Sequence, residues 1–308
     1  MAQSLLSKTV RDSIGEIKMG KNKIIILVFS LIFLSPQFFS QTNNSKTGDQ
    51  DALKTILEKC AKYCERLSDS ALHFVCEETI NEEINLDNFG GDRVATISGG
   101  NITMRSIAGG QNIERNEYVY DYQLIKKGNK IEETRTLLKE NGKKKQERNA
   151  PMKTKRFYSK KSVYGPVGLL GKEQQSKYDY KIIKEQTLKR RKTYVIEVTP
   201  KLNIEGNPNF GKVWIDKEDF SVLKLEIKQE SLAGFEKIEQ ESEKQKMTPR
   251  ITTMHDYFIE KNGIRFPSKT VCEEIYIAGM RRARTRISET RITYDKYRFF
   301  TVDTKIKY

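Results

Sequence analysis

The side chains that could do chemistry are few and scattered. His73 and His255 are the two histidines. They lie far apart, each inside a strand-like alternation, and neither has a partner at metal-ligand spacing, so both read as structural. Adjacent carboxylates occur at Glu77-Glu78, Glu82-Glu83 and Glu273-Glu274. Neighbours in a strand point to opposite faces, so these pairs do not form an acid–base couple by spacing alone. The run Gly165-x-x-Gly168-x-x-Gly171-Lys172 approaches a phosphate loop. Its glycine spacing differs, and Glu173 stands where a Ser or Thr belongs. No G-x-S-x-G elbow and no H-E-x-x-H motif occurs. The expectation is a protein with no catalytic residues, no metal and no cofactor, and so not an enzyme.

The four cysteines are Cys60, Cys64, Cys76 and Cys272. The C-x3-C pair has no second Cys or His pair to complete a zinc site. Four cysteines fit an oxidising compartment and allow three pairings. Cys60 and Cys64 share one face of an expected helix, and Cys76 lies on the strand that follows. If that strand runs back along the helix, Cys60 sits about 10 Å from the helix end, Cys64 about 5 Å, and Cys76 about 16 Å up the strand. Cys60–Cys76 is the favoured disulfide, with four buried free thiols as the alternative.

The 308-residue chain carries a formal charge of +15. A basic total admits nucleic acid, lipid headgroups or wall polymers as partners. The basic runs KKKQER (143–148), LKRRK (188–192) and RRARTR (281–286) fall at expected hairpin ends, while the aromatics sit inside strands. Single-strand nucleic-acid binders place the two on one surface. The runs therefore read first as solvated turns, next as contacts to an anionic headgroup, cell wall or envelope protein, and not as a nucleic-acid site.

At the N-terminus, IIILVFSLIFL (24–34) is apolar except for Ser30, preceded by Lys21 and Lys23 and followed by QTNNSKTGDQ. That is the pattern of a secretory signal, and it is too short for a spanning helix, which needs roughly 20 residues. Met19 is a candidate true start. Cleavage after Ser40, with no cysteine nearby to acylate, gives an exported, unlipidated, periplasmic chain that is soluble and monomeric. Residues 1–40 hold five Lys/Arg and two Asp/Glu, so the remainder keeps a charge of +12.

These sparse groups must be positioned by a mostly β chain. Residues 41–50 read as a polar linker and 51–308 as a single domain. Asp51–Leu67 places Leu53, Ile56, Leu57, Cys60, Cys64 and Leu67 on one helical stripe. Tyr118–Ile125 and Ile131–Leu138 form a hairpin, and Gly165–Gln175 reads as a short helix or turn over the sheet. Tyr178–Lys184 and Tyr194–Thr199 are strands joined through LKRRK. Leu232–Lys246 reads as a second amphipathic helix ended by Pro249. Asn262-Gly263 marks a hairpin, and two closing strands lie near Arg284–Tyr294 and Phe299–Lys307. A sheet of this length must curl or close.

The clearest hairpin is GKVWIDKEDFSVLKLEI, Gly211–Ile227. Alternation places Val213, Ile215, Leu223, Leu225 and Ile227 on one apolar face, with Trp214 and Val222 pointing away.

This hairpin, together with FIEKNGIRFPSKT and YDKYRFFTV, resembles the outer-membrane lipoprotein carrier/receptor (LolA/LolB-like) superfamily in pattern and order over roughly 51–308. The strand-like runs number about 11–13 in mainly antiparallel order, with two or three helices, a mainly β fold with α whose long sheet must curve; the resemblance implies that this sheet is an incomplete β-barrel with the helices covering its concave side. It also implies non-catalytic binding and transport of lipid or lipoprotein acyl chains, lined here by Val213, Ile215, Leu223, Leu225 and Ile227. Burial of an acyl chain contributes roughly 0.8 kcal/mol per CH2. The alternative is a structural or interaction module of the cell envelope, with the same sheet filled by its own side chains.

Overall fold

The computed structural model describes residues 44–86, 95–98, 101–104, 112–127, 130–156, 162–202, 208–232, 234–244, 246–278 and 283–300. The expected signal peptide and its cleavage site lie outside these residues. Helix α1 (Asn44–Ser70) leads into β1 (Phe74–Asn85), a small hairpin β2 (Ala95–Ser98) and β3 (Asn101–Met104), and the meander β4 (Ile113–Lys127), β5 (Lys130–Glu140) and β6 (Lys143–Arg148). Two short helices follow, α2 (Gly165–Leu170) and α3 (Lys172–Gln175). A second meander comprises β7 (Tyr178–Leu188), β8 (Arg191–Pro200), β9 (Gly211–Asp216) and β10 (Val222–Ile227). Then come α4 (Phe235–Lys244), β11 (Met247–Asp256), the hairpin β12 (Ile259–Lys261) and β13 (Ile264–Phe266), β14 (Lys269–Ala278) and β15 (Ala283–Phe299), with single 3-10 turns at Ser162–Tyr164 and Gln229–Ser231. Asn44 apart, these elements belong to one compact unit, Ser45–Tyr308.

Eleven strands form one antiparallel sheet in the order β6-β5-β4-β1-β15-β14-β11-β10-β9-β8-β7. The two meanders make the flanks. Strand β1, early in the chain, pairs with β15 at its end and joins the halves. Among the described residues β6 and β7 have a sheet neighbour on one side only, so the sheet stays open as an incomplete barrel.

Tight turns set the register. Asn141-Gly142 (φ 47° and 76°) and Asn262-Gly263 (φ 53° and 70°) have both central residues at positive φ, the turn geometry that matches strand twist. Lys189-Arg190 adopts the same geometry (φ 45° and 69°) without the usual Asn-Gly signature.

Four local expectations change. Residues 44–50 are the opening turns of α1 rather than a linker. KKKQER is not a turn but the fully exposed edge strand β6, where lysines discourage pairing with another chain. Pro249 does not end a helix. It lies in β11 opposite Tyr276, in a stretch outside the β10 pairing, where no ladder hydrogen bond is lost on that side. The strand expected over Arg284–Tyr294 extends to Phe299 as part of β15, and residues 301–308 lie outside the described chain.

One face of the sheet is buried. On β1 it presents Phe74, Cys76, Glu78, Ile80, Glu82 and Ile84, every second residue. Its cover is irregular. The stripe Ile56, Cys60, Tyr63, Cys64 and Leu67 of α1, with Leu169 and Leu170 of α2, packs into a core that runs from Phe74, Tyr120 and Tyr122 to Ile196, Val213 and Tyr178. At the other end α4 makes a smaller cluster, Phe235 against Ile251 and Cys272.

Candidate functional site

The inner face is the candidate site, and its two halves differ in chemistry. The β7–β10 half is apolar. Val213, Ile215 and Leu225 have no exposed surface and Ile227 has 7%, and all four lie in the main core. The register corrects one detail. Val222 and Lys224 pair with Ile215 and Trp214, so Leu223 is an extra residue between them, a β-bulge. Val222, expected to point away, therefore joins Ile215 in the core cluster. Leu223 is fully buried but is not a member of that cluster. Trp214 stays outside it as expected, beneath the Lys224 ammonium 5.0 Å from its ring centre.

This half is closed tightly. A Cβ built on Gly165, at the start of α2, would stand 2.6 Å from Tyr257 Oη and 2.8 Å from Leu225 Cδ1. The glycine of the phosphate-loop-like run thus serves close packing of a helix onto β10. An open cleft of about 560 Å³ lies between α1 and α2–α3, lined by Cys64, Glu65, Asp69, Val167 and Lys172 among others; none of the five hairpin residues lines it.

The β1–β14 half sets buried carboxylates among apolar core residues such as Phe74, Ile80, Ile292 and Tyr294. Of each adjacent carboxylate pair one member is buried: Glu78, Glu82 and Glu274, at 0%, 1% and 0% exposure. Arg135 on β5 grips Glu78 through Nε (2.5 Å) and Nη2 (3.1 Å) and also reaches Glu133. Burial pushes the Glu78 carboxyl up against the opposing pull of Arg135. Glu82 and Glu274 are served by the segment 150–156, which crosses this half as a strap. Glu82 accepts the backbone N–H groups of Lys155 (2.9 Å) and Arg156 (3.0 Å). Glu274 accepts the Arg156 guanidinium (2.6 and 3.1 Å) and the Ser288 hydroxyl (3.0 Å). Tyr120 ties down the other end of the strap: its hydroxyl donates to the Pro151 carbonyl and accepts from Lys153 N–H.

His255 borders the two halves on β11. It is fully enclosed, its Nδ1 lies 3.0 Å from Thr270 Oγ1, and burial lowers its pKa to about 4. It is a neutral imidazole bonded to a hydroxyl rather than to a carboxylate. His73 is exposed beside the Phe300 ring.

The expected Cys60–Cys76 disulfide does not form. All four cysteines are buried free thiols. Cys60 turns toward the Phe220 carbonyl and Cys64 toward Pro166, whereas Cys76 faces Tyr297. Burial holds the thiols protonated, with Cys60 pushed up to about 12 and Cys272 to about 11. Buried thiols need no oxidising compartment.

No protein-family model matches the chain, and no curated protein matches it in sequence. Solved structures do overlap with it. A DUF1329 family protein from Desulfovibrio piger has 12% identity and a TM-score of 0.35, over 82% of this chain and 94% of that one. A LolA superfamily protein from Nitrosomonas europaea has 14% identity and a TM-score of 0.33, over 82% and 96%. A putative outer membrane lipoprotein-sorting protein domain from Vibrio parahaemolyticus has 11% identity and a TM-score of 0.33, over 82% and 95%. Overlaps this loose assign no function, and the open half-barrel rests on the strand register above.

The sequence pattern located the apolar hairpin but missed Glu82, Glu274, Arg156 and Val222. The signal for the carboxylates was present: Glu78 and Glu82 share the alternation of Phe74, Cys76, Ile80 and Ile84. No such period marks Arg156, because the strap has no regular structure.

Proposed function

We propose that this protein is an exported, non-catalytic carrier of lipid or lipoprotein acyl chains, working as a monomer in the periplasm, and that the structure is its closed, unloaded state. One observation carries the reading. The inner face of an open eleven-strand sheet is covered by helices and a strap rather than by a second sheet. A cover of that kind can move without breaking the β ladder, and the trough beneath it would hold an acyl chain against Val213, Ile215, Val222, Leu225 and Ile227. The apolar run at 24–34 supports export. Among the described residues no helix is long and apolar enough to cross a membrane.

The packed core favours a second reading, an envelope interaction module whose exposed lysines meet an anionic partner. Native mass spectrometry of protein purified from its own envelope separates the two, together with uptake of a fluorescent fatty acid. Bound lipid and saturable uptake are expected. Recovery without lipid and without uptake would sink the carrier. Salt adds a second criterion: contact through Lys and Arg weakens steeply with ionic strength, whereas acyl burial hardly changes.

A further inference from the structure

Among the described residues, three carboxylates, Glu78, Glu82 and Glu274, are buried on the inner face of a chain whose formal charge is +15. They are not neutralised alike. The partner of Glu78 is Arg135, a residue of the sheet itself. The cationic partner of Glu274 and the amides on Glu82 come from the strap, which is not part of the sheet. From the sheet, Glu274 has the hydroxyls of Ser288 and Tyr276. If the strap lifts, two carboxylates one strand apart remain in a trough with no sheet cation bonded to them. Buried charge left in that condition is strongly unfavourable.

A second observation points to the same place. Thr290 lies on β15, the strand between the two, opposite Glu82 on β1 and opposite Cys272, two residues from Glu274, on β14. It is 2% exposed and its Oγ1 has no hydrogen-bond partner. Thr154 Oγ1, on the strap, is also buried and unpartnered. The pocket thus holds hydrogen-bonding capacity that the strap does not use. The strap bonds its one guanidinium, from Arg156, to Glu274, while Glu82 receives backbone amides and the Lys155 ammonium is bonded to Glu114.

We propose that the strap is an internal stand-in for cargo, and that Glu82, Glu274, Ser288 and Thr290 form a subsite for a cationic head, guanidinium or primary ammonium, on an acylated ligand. The inference rests on the carrier reading and adds the cargo class to it. The head replaces Arg156 on Glu274 and the strap amides on Glu82, and Thr290 Oγ1 accepts a further N–H. The tail then runs past Ile292 and His255 toward Leu225, along one row of inner-face positions joined in register from β15 to β10.

The experiment uses the full chain and three probes below micelle formation: dodecylguanidinium, dodecanoate and methylguanidinium. Binding is measured by calorimetry to wild type, to Arg156→Ala, and to Arg156→Ala combined with Glu82→Gln and Glu274→Gln. In Arg156→Ala, dodecylguanidinium is expected to bind at least about tenfold tighter than dodecanoate, the value of one charge-assisted hydrogen bond. The triple variant is expected to lose that preference while still taking up both tails. Equal uptake of both tails by Arg156→Ala would overturn the subsite and leave the acyl carrier standing. Uptake of neither tail would overturn both. Methylguanidinium binding as tightly as its dodecyl form would overturn the acylated-cargo class in favour of a free cation. Should Arg156→Ala fail to fold, hydrogen exchange in wild type decides. The Lys155 and Arg156 amides should lose protection when dodecylguanidinium binds, and binding that leaves them protected would overturn the stand-in.

Discussion

The two halves of the inner face are equally buried and closed by different forces. Under α1 and α2 the closure is apolar: Ile56, Leu67, Leu170, Val213, Ile215 and Leu225 interlock. Each such side chain contributes roughly 1.5–3 kcal/mol by leaving water. Over β1, β15 and β14 the closure is polar: a strap whose amides and one arginine sit on two carboxylates. A hydrogen bond to a charged group contributes about 1.5–3 kcal/mol net, and lifting the strap breaks several at once. The same fold thus carries one cover held by apolar burial and one held by charge-assisted hydrogen bonds, whose partners water can replace. The polar half is where exchange with the outside would begin.

The largest blow to the apolar half is Leu225→Lys. With no exposed surface and Gly165 packed against it, a charge there has no water to reach. A loss of about 5 kcal/mol or more is expected, comparable to the whole stability of many domains. Urea denaturation of the purified variant measures it. A variant melting like wild type would show that the apolar half is wet rather than packed. Because the closed state is packed, this substitution tests the closure and not the cargo.

The matching blow to the polar half is Arg135→Met. It strands Glu78, which is fully buried, and should cost about 3–5 kcal/mol. Adding Glu78→Leu should restore most of that loss, since an apolar pair of similar volume often replaces a buried ion pair without cost. A double variant no more stable than the single one would mean that Arg135 acts through packing on Tyr122, whose ring centre lies 4.8 Å from its guanidinium.

His255 sharpens the boundary between the halves through pH. Folding lowers its pKa from 6.5 to about 4, so between those values the unfolded chain binds the extra proton. Its contribution is intact above pH 6.5 and is lost as pH falls toward 4, a span of about 3 kcal/mol. His255→Asn should flatten the stability profile in that window relative to wild type. Parallel profiles would place the acid sensitivity elsewhere. The smallest effect belongs to the opposite side of the hairpin. There Lys212 and Glu226 pair at 3.0 Å while each is about one-third exposed. Lys212→Ala should change stability by less than about 1 kcal/mol, and 0.5 M salt should remove the difference.

What was legible in the sequence follows from what a two-residue period can encode. It gave most of the strands, though not β6 or the start of β11, with the hairpin over Gly211–Ile227 and the outward position of Trp214. It also gave the rule that one member of each carboxylate pair faces inward. It could not register the bulge at Leu223, because one extra residue shifts the phase without changing composition. That shift exchanged Val222 for Leu223 in the core. Nor could it separate KKKQER, which lies along a sheet edge, from the nearby Arg156, which closes a buried site. Both are basic runs after a turn, and their difference is made by strands far away in sequence. The cysteine pairing failed because rise per residue gives a height along an element and says nothing of the direction in which a side chain leaves it.

The four enclosed thiols bear on how the chain is born as well as on how it rests. In the folded protein they are out of reach and protonated. In the nascent chain all four are open to exchange, and every pairing among them is non-native. If the chain crosses into an oxidising space, folding has to finish before oxidation starts. Its yield there is set by a race between collapse onto the sheet and the first wrong crosslink, and reductant should raise that yield without altering the product.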